Sequence, residues 1–177
     1  MAPHILLQEL GVPFEKILVD TSTGAHRSEA YRKLNPNGLI PTLVDGDLVL
    51  YETAAICLHL CDRHPEAGLA PAPGTAERAH FYKWLVWLTN TVQSTLIVYF
   101  YTDRWMDAGN SAGVAELKSH AEAKVGLMLD QLDTELARLE KIHEQPWLLG
   151  AKYSAVDIYT LMLCRCCLLY TSDAADE

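Results

Sequence analysis

Residues 35–56 read NPNGLIPTLVDGDLVLYETAAI, and this stretch decides the fold of the N-terminal part of the chain. Its first four residues, with a proline and a glycine, are typical of the end of a helix. Apolar residues at 40–44 and 48–50 flank an Asp-Gly pair, which favours the tight turn of a β-hairpin. Apolar residues then recur at helical spacing over 53–63. The stretch therefore predicts a hairpin that leads directly into a helix.

Pro41 within the first predicted strand is informative, because proline lacks the N–H of a strand ladder. A proline at such a place indicates a fixed, often cis, peptide bond, next to backbone groups that are free to bind an extended peptide. Glu52 and Thr53 at the following helix start are suited to the charged end of that peptide. An ordinary edge strand and a carboxylate favoured by the helix dipole are the alternatives. We expect Ile40 and Leu43 to be buried, and the stretch to form a pocket for a small peptide.

The residues before this stretch predict three further elements. Pro3 opens a helix that Gly11 ends, 14–19 is rich in strand-forming residues, and 27–34 is a short helix. The predicted order is helix, strand, helix, strand, strand, helix, with one strand missing at the front. We therefore expect the chain to be a fragment, cut at both ends.

The pattern changes to helices after a Pro- and Gly-rich linker. Thr75 is placed to cap the first of these helices, and apolar residues spaced by three and four over 114–139 predict a long one. That spacing also occurs in coiled coils, but packing in a bundle is favoured. We expect a first domain at 1–64, a linker at 65–75, and an all-helical domain at 76–166. Residues 167–177 resemble a translated sequencing adapter rather than native sequence.

Ser154 and Asp157 have the spacing of a capping box at the start of a buried helix. In such a box the serine hydroxyl accepts from the N–H three residues on, and the acidic side chain reaches back. Both residues are expected to be structural.

Composition excludes several classes of protein. The chain has 177 residues, half of them apolar, and a net charge of −9, which argues against a nucleic-acid partner. No apolar run is long enough to cross a membrane. The five cysteines read as buried thiols of a reducing compartment. Cys57 and Cys61 lie near two histidines, but core packing is favoured over a metal site, and we expect no metal.

Three motifs in this order resemble those of the cytosolic glutathione S-transferases, and are most similar to bacterial, beta-like members. They are NPNGLIPTL at 35–43, ETAAI at 52–56 and GAKYSAVD at 150–157. The resemblance covers about residues 2–166. It implies an α+β chain, with a thioredoxin-like domain that lacks its first strand and an incomplete helical-bundle domain.

The resemblance also assigns roles to the hairpin residues. It implies that Ile40, before a cis Pro41, pairs its backbone with the cysteinyl part of glutathione. Glu52 and Thr53 would hold the γ-glutamyl ammonium and carboxylate. For the glycyl carboxylate three basic residues remain open, namely His26, Arg27 and Lys33.

The implied activity is that of a glutathione transferase, in which the bound thiolate attacks a small hydrophobic electrophile. The group that activates the thiol is expected upstream of Met1, so this chain should be weakly active or inactive. Tyr99, Tyr101 and Trp105 are candidates for lining the electrophile site, although core or interface packing is an equal alternative. A cytoplasmic homodimer with a detoxification role is implied, with glutathione as co-substrate. The alternatives are a non-catalytic protein-interaction module and a glutathione-dependent isomerase or thiol transferase.

Overall fold

The structure is a computed structural model that describes residues 2–172, with side chains as far as residue 167. It divides into two compact units, Met1–Ala70 and Pro71–Glu177. The division lies inside the segment 65–75 that the sequence marks as a linker. None of the helices in the described part of the chain is both long and apolar enough to cross a bilayer.

The first unit is an α/β unit built around one hairpin. Short 3₁₀ turns occupy Ala25–Arg27 and Pro65–Ala67. Its helices and strands are α1 (Ala2–Glu9), α2 (Glu29–Leu34), β1 (Thr42–Asp45), β2 (Leu48–Tyr51) and α3 (Thr53–Arg63).

The hairpin has the predicted Asp-Gly turn. Strands β1 and β2 are antiparallel and pair from Thr42 with Tyr51 to Asp45 with Leu48, so only two residues form the loop. The Asp45 carboxylate also accepts a hydrogen bond from Arg63 at 2.8 Å, and His59 lies 3.4 Å from the same oxygen. These contacts tie the turn end of the hairpin to the C-terminal half of α3.

Residues 14–19 do not form the predicted strand. The segment is irregular, with Ile17 and Leu18 exposed by 75% and 83%. A strand is stabilised by the ladder partner beside it, and within residues 2–172 the sheet contains only β1 and β2. Strand-forming residues alone were not sufficient, so the prediction for this segment was wrong.

The core of the first unit lies between α1 and α3, which pack against each other. Leu6 of α1 and Ile56 and Cys57 of α3 have no solvent exposure, and Leu60 and Cys61 are nearly as buried. The helical spacing of the sequence picks out these four α3 positions and Ala54, and Ala54 is only half-buried.

The regular elements described in the second unit are helices, as the sequence predicted, apart from one isolated bridge between Trp147 and Gly150. One continuous helical run starts at Ala76, where the Thr75 hydroxyl accepts from the Arg78 N–H at 3.1 Å, and it ends at Phe100. A π-helical segment, Leu88–Gln93, interrupts this run, and a 3₁₀ turn, Thr102–Trp105, follows it. The α-helices are α4 (Ala76–Trp87), α5 (Ser94–Phe100), α6 (Ser111–Glu140) and α7 (Ala155–Ser172).

Helix α6 packs along α5, so its apolar stripe belongs to a bundle and not to a coiled coil. The Asn110 side chain caps its first turn by accepting from the Gly113 N–H at 2.9 Å. The buried residues along this helix are Ala121, Val125, Met128, Leu132 and Leu139.

Asp157 reaches back at the start of α7, as a capping box requires. Its Oδ2 accepts from the N–H and from the hydroxyl of Ser154, both at 2.9 Å. Its Oδ1 accepts from the Leu148 N–H at 2.9 Å, which ties the preceding loop to the helix. The serine hydroxyl therefore donates to the carboxylate, whereas the sequence predicted that it would accept from a backbone N–H. The helix continues to Ser172, and residues 173–177 of the predicted tail lie outside the described part.

Candidate functional site

The open end of the hairpin brings the predicted binding residues together. The pairing of Thr42 with Tyr51 places Pro41 and Glu52 immediately beyond the last ladder pair, on the same end of the two strands. The Ile40–Pro41 peptide bond is cis. The hairpin therefore brings Pro41 and Glu52, which are 11 positions apart in the sequence, to the same end of the two strands.

The loop before Ile40 is held by two side chains that sequence reasoning did not select. Asn35 is buried, and its amide donates to the Leu39 carbonyl at 2.8 Å. The Tyr31 hydroxyl donates to the same carbonyl at 2.7 Å and lies 2.9 Å from the Thr42 hydroxyl. The Asn-Pro-Asn-Gly motif was interpreted only as a helix end, although an asparagine that bonds to its own loop is a known turn signal.

Ile40 itself is exposed, contrary to the prediction. The residue is 54% exposed, and Leu43 is only half-buried. Within residues 2–172, no hydrogen bond engages the backbone N–H or carbonyl of Ile40. Side-chain burial was wrongly inferred from apolar character alone, but the exposed backbone is what an incoming extended peptide requires.

Glu52 has an uncommon backbone conformation, with φ of 73° and ψ of 114°. A positive φ is rare for a residue with a side chain, and such outliers concentrate at binding sites. The Glu52 side chain is exposed and makes no capping hydrogen bond, while its carbonyl accepts the first helical bond from Ile56 at 2.9 Å. The conformation thus leaves the carboxylate facing solvent beside the start of α3.

Thr53 is the first residue of α3 and is half-buried. The first N–H groups of a helix have no partner within the helix and carry the positive end of its dipole. A hydroxyl and free N–H groups at this position can bind a carboxylate, next to a Glu52 side chain that can bind an ammonium.

The three basic residues that could bind the glycyl carboxylate differ in their surroundings. Lys33 forms an exposed ion pair with Glu29 at 3.1 Å, and Arg27 is exposed. His26 is half-buried, and its Nδ1 is buried without a hydrogen-bond partner. A buried, unpaired ring nitrogen is costly, so His26 is the candidate with an unused polar group.

Cys57 is not a candidate nucleophile. Burial, with a smaller contribution from the neighbouring Cys61, raises the pKa of its thiol to about 12. Reactive thiols are those with a lowered pKa. Within the described residues, no three His, Cys, Asp or Glu side chains come together as a metal-binding group.

The aromatic candidates of the second unit occupy the end of α5 and the turn after it. Lys118 lies 5.3 Å from the ring centre of Tyr99, and Arg104 lies 3.9 Å from that of Tyr101. Trp105 is 60% exposed. A groove of about 380 Å³ lies elsewhere, between α4 and α6, where Lys83, Trp84 and Glu135 line it. This groove contains none of the three aromatic candidates, and we do not assign the site to it.

Comparison with known proteins agrees with this architecture. The family model of the glutathione S-transferase N-terminal domain matches residues 2–63. A Sphingomonas chungbukensis beta-class glutathione S-transferase structure is 32% identical, with a TM-score of 0.74, over 92% of this chain and 75% of that one. A sphingomonad glutathione S-transferase complexed with glutathione is also 32% identical, with a TM-score of 0.73 over the same shares.

The chain belongs to the glutathione S-transferase family, with a thioredoxin-like first unit and a helical second unit. Maize glutathione S-transferase 3 is 33% identical over 159 residues, which are 88% of this chain and 65% of the maize protein. The chain thus spans just under two thirds of the length of that relative.

Proposed function

We propose that the open end of the hairpin binds glutathione, with Ile40, Pro41, Glu52 and Thr53 as the contact residues. The observation that carries this proposal is the register of the hairpin, which sets the unpaired Ile40 backbone and the exposed Glu52 carboxylate at one end. The complex of the sphingomonad relative with glutathione supports the choice of ligand.

The chemistry of each contact follows from its position. The Ile40 backbone pairs with the cysteinyl residue as a short strand addition. The Glu52 carboxylate binds the γ-glutamyl ammonium through charge-assisted hydrogen bonds. The Thr53 hydroxyl and the N–H groups of α3 bind the γ-glutamyl carboxylate. For the glycyl carboxylate, His26, Arg27 and Lys33 remain the candidates; the unpaired Nδ1 of His26 is buried, so it does not favour His26 over the exposed Arg27 and Lys33.

The proposed reaction is attack of the glutathione thiolate on a small hydrophobic electrophile. A free thiol has a pKa of about 8.5, so an enzyme gains by stabilising the thiolate. In this proposal the electrophile lies beside Tyr99, Tyr101 and Trp105. A cytoplasmic homodimer is part of the same proposal.

Binding of glutathione to this chain tests the site directly. Titration followed by NMR is suited to weak binding, which we expect here. Glu52→Gln should weaken glutathione about tenfold or more, since it removes the charge that meets the ammonium. Asp47→Asn, which changes an exposed carboxylate at the other end of the hairpin, is the matched control and should change nothing.

The dipeptide cysteinylglycine provides a second test of the Glu52 contact, because it lacks the γ-glutamyl group. It should bind the parent and the Glu52→Gln variant equally. An equal loss of both ligands in the variant would mean that Glu52 only supports the fold, and the proposed contact would be wrong.

Activity separates conjugation from its alternatives. Turnover of 1-chloro-2,4-dinitrobenzene with glutathione would support conjugation, and its absence in a chain that binds glutathione would favour the isomerase or thiol-transferase alternative. Absence of both glutathione binding and turnover would favour a protein-interaction module.

A further inference from the structure

The π-helical segment Leu88–Gln93 is bonded to a different helix through one buried tyrosine. Tyr159 of α7 has no solvent exposure. Its hydroxyl lies 3.1 Å from the Thr89 hydroxyl and donates to the side-chain oxygen of Gln93. Two side chains of the π-helical segment thus meet a single hydroxyl in the core of the second unit.

Hydroxyl groups within the helical run support the same segment. Thr95 donates to the Thr91 carbonyl at 2.8 Å, and Ser94 lies within 3.4 Å of the Thr89 carbonyl. Both are local contacts, from a hydroxyl to a backbone carbonyl four or five residues earlier in the same helical run. Tyr159 differs from them because it fixes the segment against a neighbouring helix.

A π-helical turn holds one residue more than the α-helical turn it replaces. If the segment relaxed to α-helix, each later residue would be displaced by one position, which is a rotation of about 100°. Helix α5 begins directly after the segment, and it carries Tyr99 in its last turn. The Thr102 hydroxyl donates to the Val98 carbonyl at 2.7 Å, so the turn with Tyr101 is coupled to the end of α5.

We propose that Tyr159 is a positioning residue, which holds the π-helical segment and thereby sets the rotation of α5 and of its aromatic end. This rests on the proposed electrophile site at Tyr99, Tyr101 and Trp105. Through these contacts, a residue of α7 that lies 60 positions from Tyr99 determines which face the aromatic residues present.

Tyr159→Phe removes the hydroxyl and keeps the ring, so the core remains filled. Amide hydrogen exchange should then show protection of residues 93–100 lowered by about 2–10-fold, the equivalent of one net hydrogen bond. Tyr82→Phe is the matched control, because Tyr82 is exposed on α4, and it should leave protection unchanged. Equal protection in the parent and in Tyr159→Phe would overturn the proposal.

Gln93→Met tests the partner of Tyr159. It should lower protection of the same residues. Protection in the double variant should be no lower than in either single variant, because both substitutions remove the same hydrogen bond. Additive losses would show that the two side chains act separately, and would also overturn the proposal.

Deletion of Asn90, an exposed residue of the segment, gives the sharpest test. It removes the extra residue, so an ordinary α-helix now gives α5 its native rotation without help from Tyr159. In the parent background Tyr159→Phe should also change the binding of 1-anilinonaphthalene-8-sulfonate, an aromatic probe of the electrophile site. In the deletion background it should alter neither protection nor that binding. If the effect persists, the hydroxyl does not act on helix rotation.

The two proposals fail separately. If the parent chain does not bind the aromatic probe, the electrophile site is wrong, while hydrogen exchange still decides the role of Tyr159. Glutathione binding should be the same in every variant, because none of them changes the first unit.

Discussion

The amide of Asn35 donates to the carbonyl of Leu39 across four residues at 2.8 Å, and this bond shapes the loop that presents Ile40. The Asn35 side-chain oxygen also accepts from the Asn37 N–H at 3.0 Å. Asn35 is 2% exposed, so both bonds are shielded from water. A buried amide therefore joins the end of α2 to the proposed binding strand.

Asn35→Ala should lower the free energy of unfolding by about 1–3 kcal/mol, because it leaves buried polar groups without partners. Glutathione binding should weaken as well, since Leu39 precedes the contact residue. Urea denaturation and the NMR titration measure the two effects. Asn37→Ala, which removes an exposed side chain but keeps the backbone N–H, is the control. Equal stability of the two variants would refute the role of Asn35.

Replacing two glycines by alanine should change the stability of the chain in opposite directions. Gly38 has φ of +60°, and a Cβ there would lie 3.0 Å from the His26 carbonyl oxygen. Gly38→Ala should therefore lower the free energy of unfolding by about 1–3 kcal/mol. Gly126 lies within α6 with open space around the position of a Cβ. Because alanine has the higher helix propensity, Gly126→Ala should raise the free energy of unfolding by about 0.5–1 kcal/mol. Thermal unfolding of both variants checks the signs, and a stabilised Gly38→Ala would contradict the loop geometry.

Cys57 should resist alkylation in the folded chain. With a pKa of about 12, only about one thiol in ten thousand is ionised at pH 8. Iodoacetamide labelling followed by mass spectrometry should find Cys57 and the buried Cys61 unmodified until urea is added, while the half-buried Cys166 reacts earlier. Rapid native labelling of Cys57 would show that α3 opens locally.

Asp157 should give the chain a specific pH dependence. Burial raises the pKa of its carboxyl above 3.8, and the hydrogen bonds from Leu148 and Ser154 offset this only in part. The folded state thus binds the proton more tightly than the unfolded chain. The contribution of Asp157 to stability is therefore largest below pH 3.8 and declines as the pH rises through the folded-state pKa.

Asp157→Asn tests whether the contribution of Asp157 to stability falls as the pH rises. The variant should be less stable than the parent by about 1–3 kcal/mol, since an amide cannot accept all the bonds that the carboxylate accepts. The difference in the free energy of unfolding between the parent and Asp157→Asn should shrink between about pH 4 and pH 8. Asp133→Asn, which changes an exposed carboxylate on α6, is the control for the loss of one negative charge. Urea denaturation across this range provides the measurement. A difference that grows with pH would mean that the hydrogen bonds outweigh burial.

Most of the candidate site is accessible from sequence because its parts are local. The Asp-Gly turn fixes the register of the hairpin, and that register alone aligns Pro41 with Glu52. The exposure of Ile40 and the role of Asn35 were missed, because burial and loop bonding depend on what the rest of the fold places around a residue.

The sequence by itself determined the hairpin, helix α3, the long α6 and the Asp157 cap. In each case the cause is a turn residue, an apolar period or a cap within a few positions. Only the tertiary structure decided that residues 14–19 form no strand, since a strand needs a ladder partner, and that Tyr159 meets Gln93. Those outcomes depend on contacts between residues far apart in the chain, which local spacing does not encode.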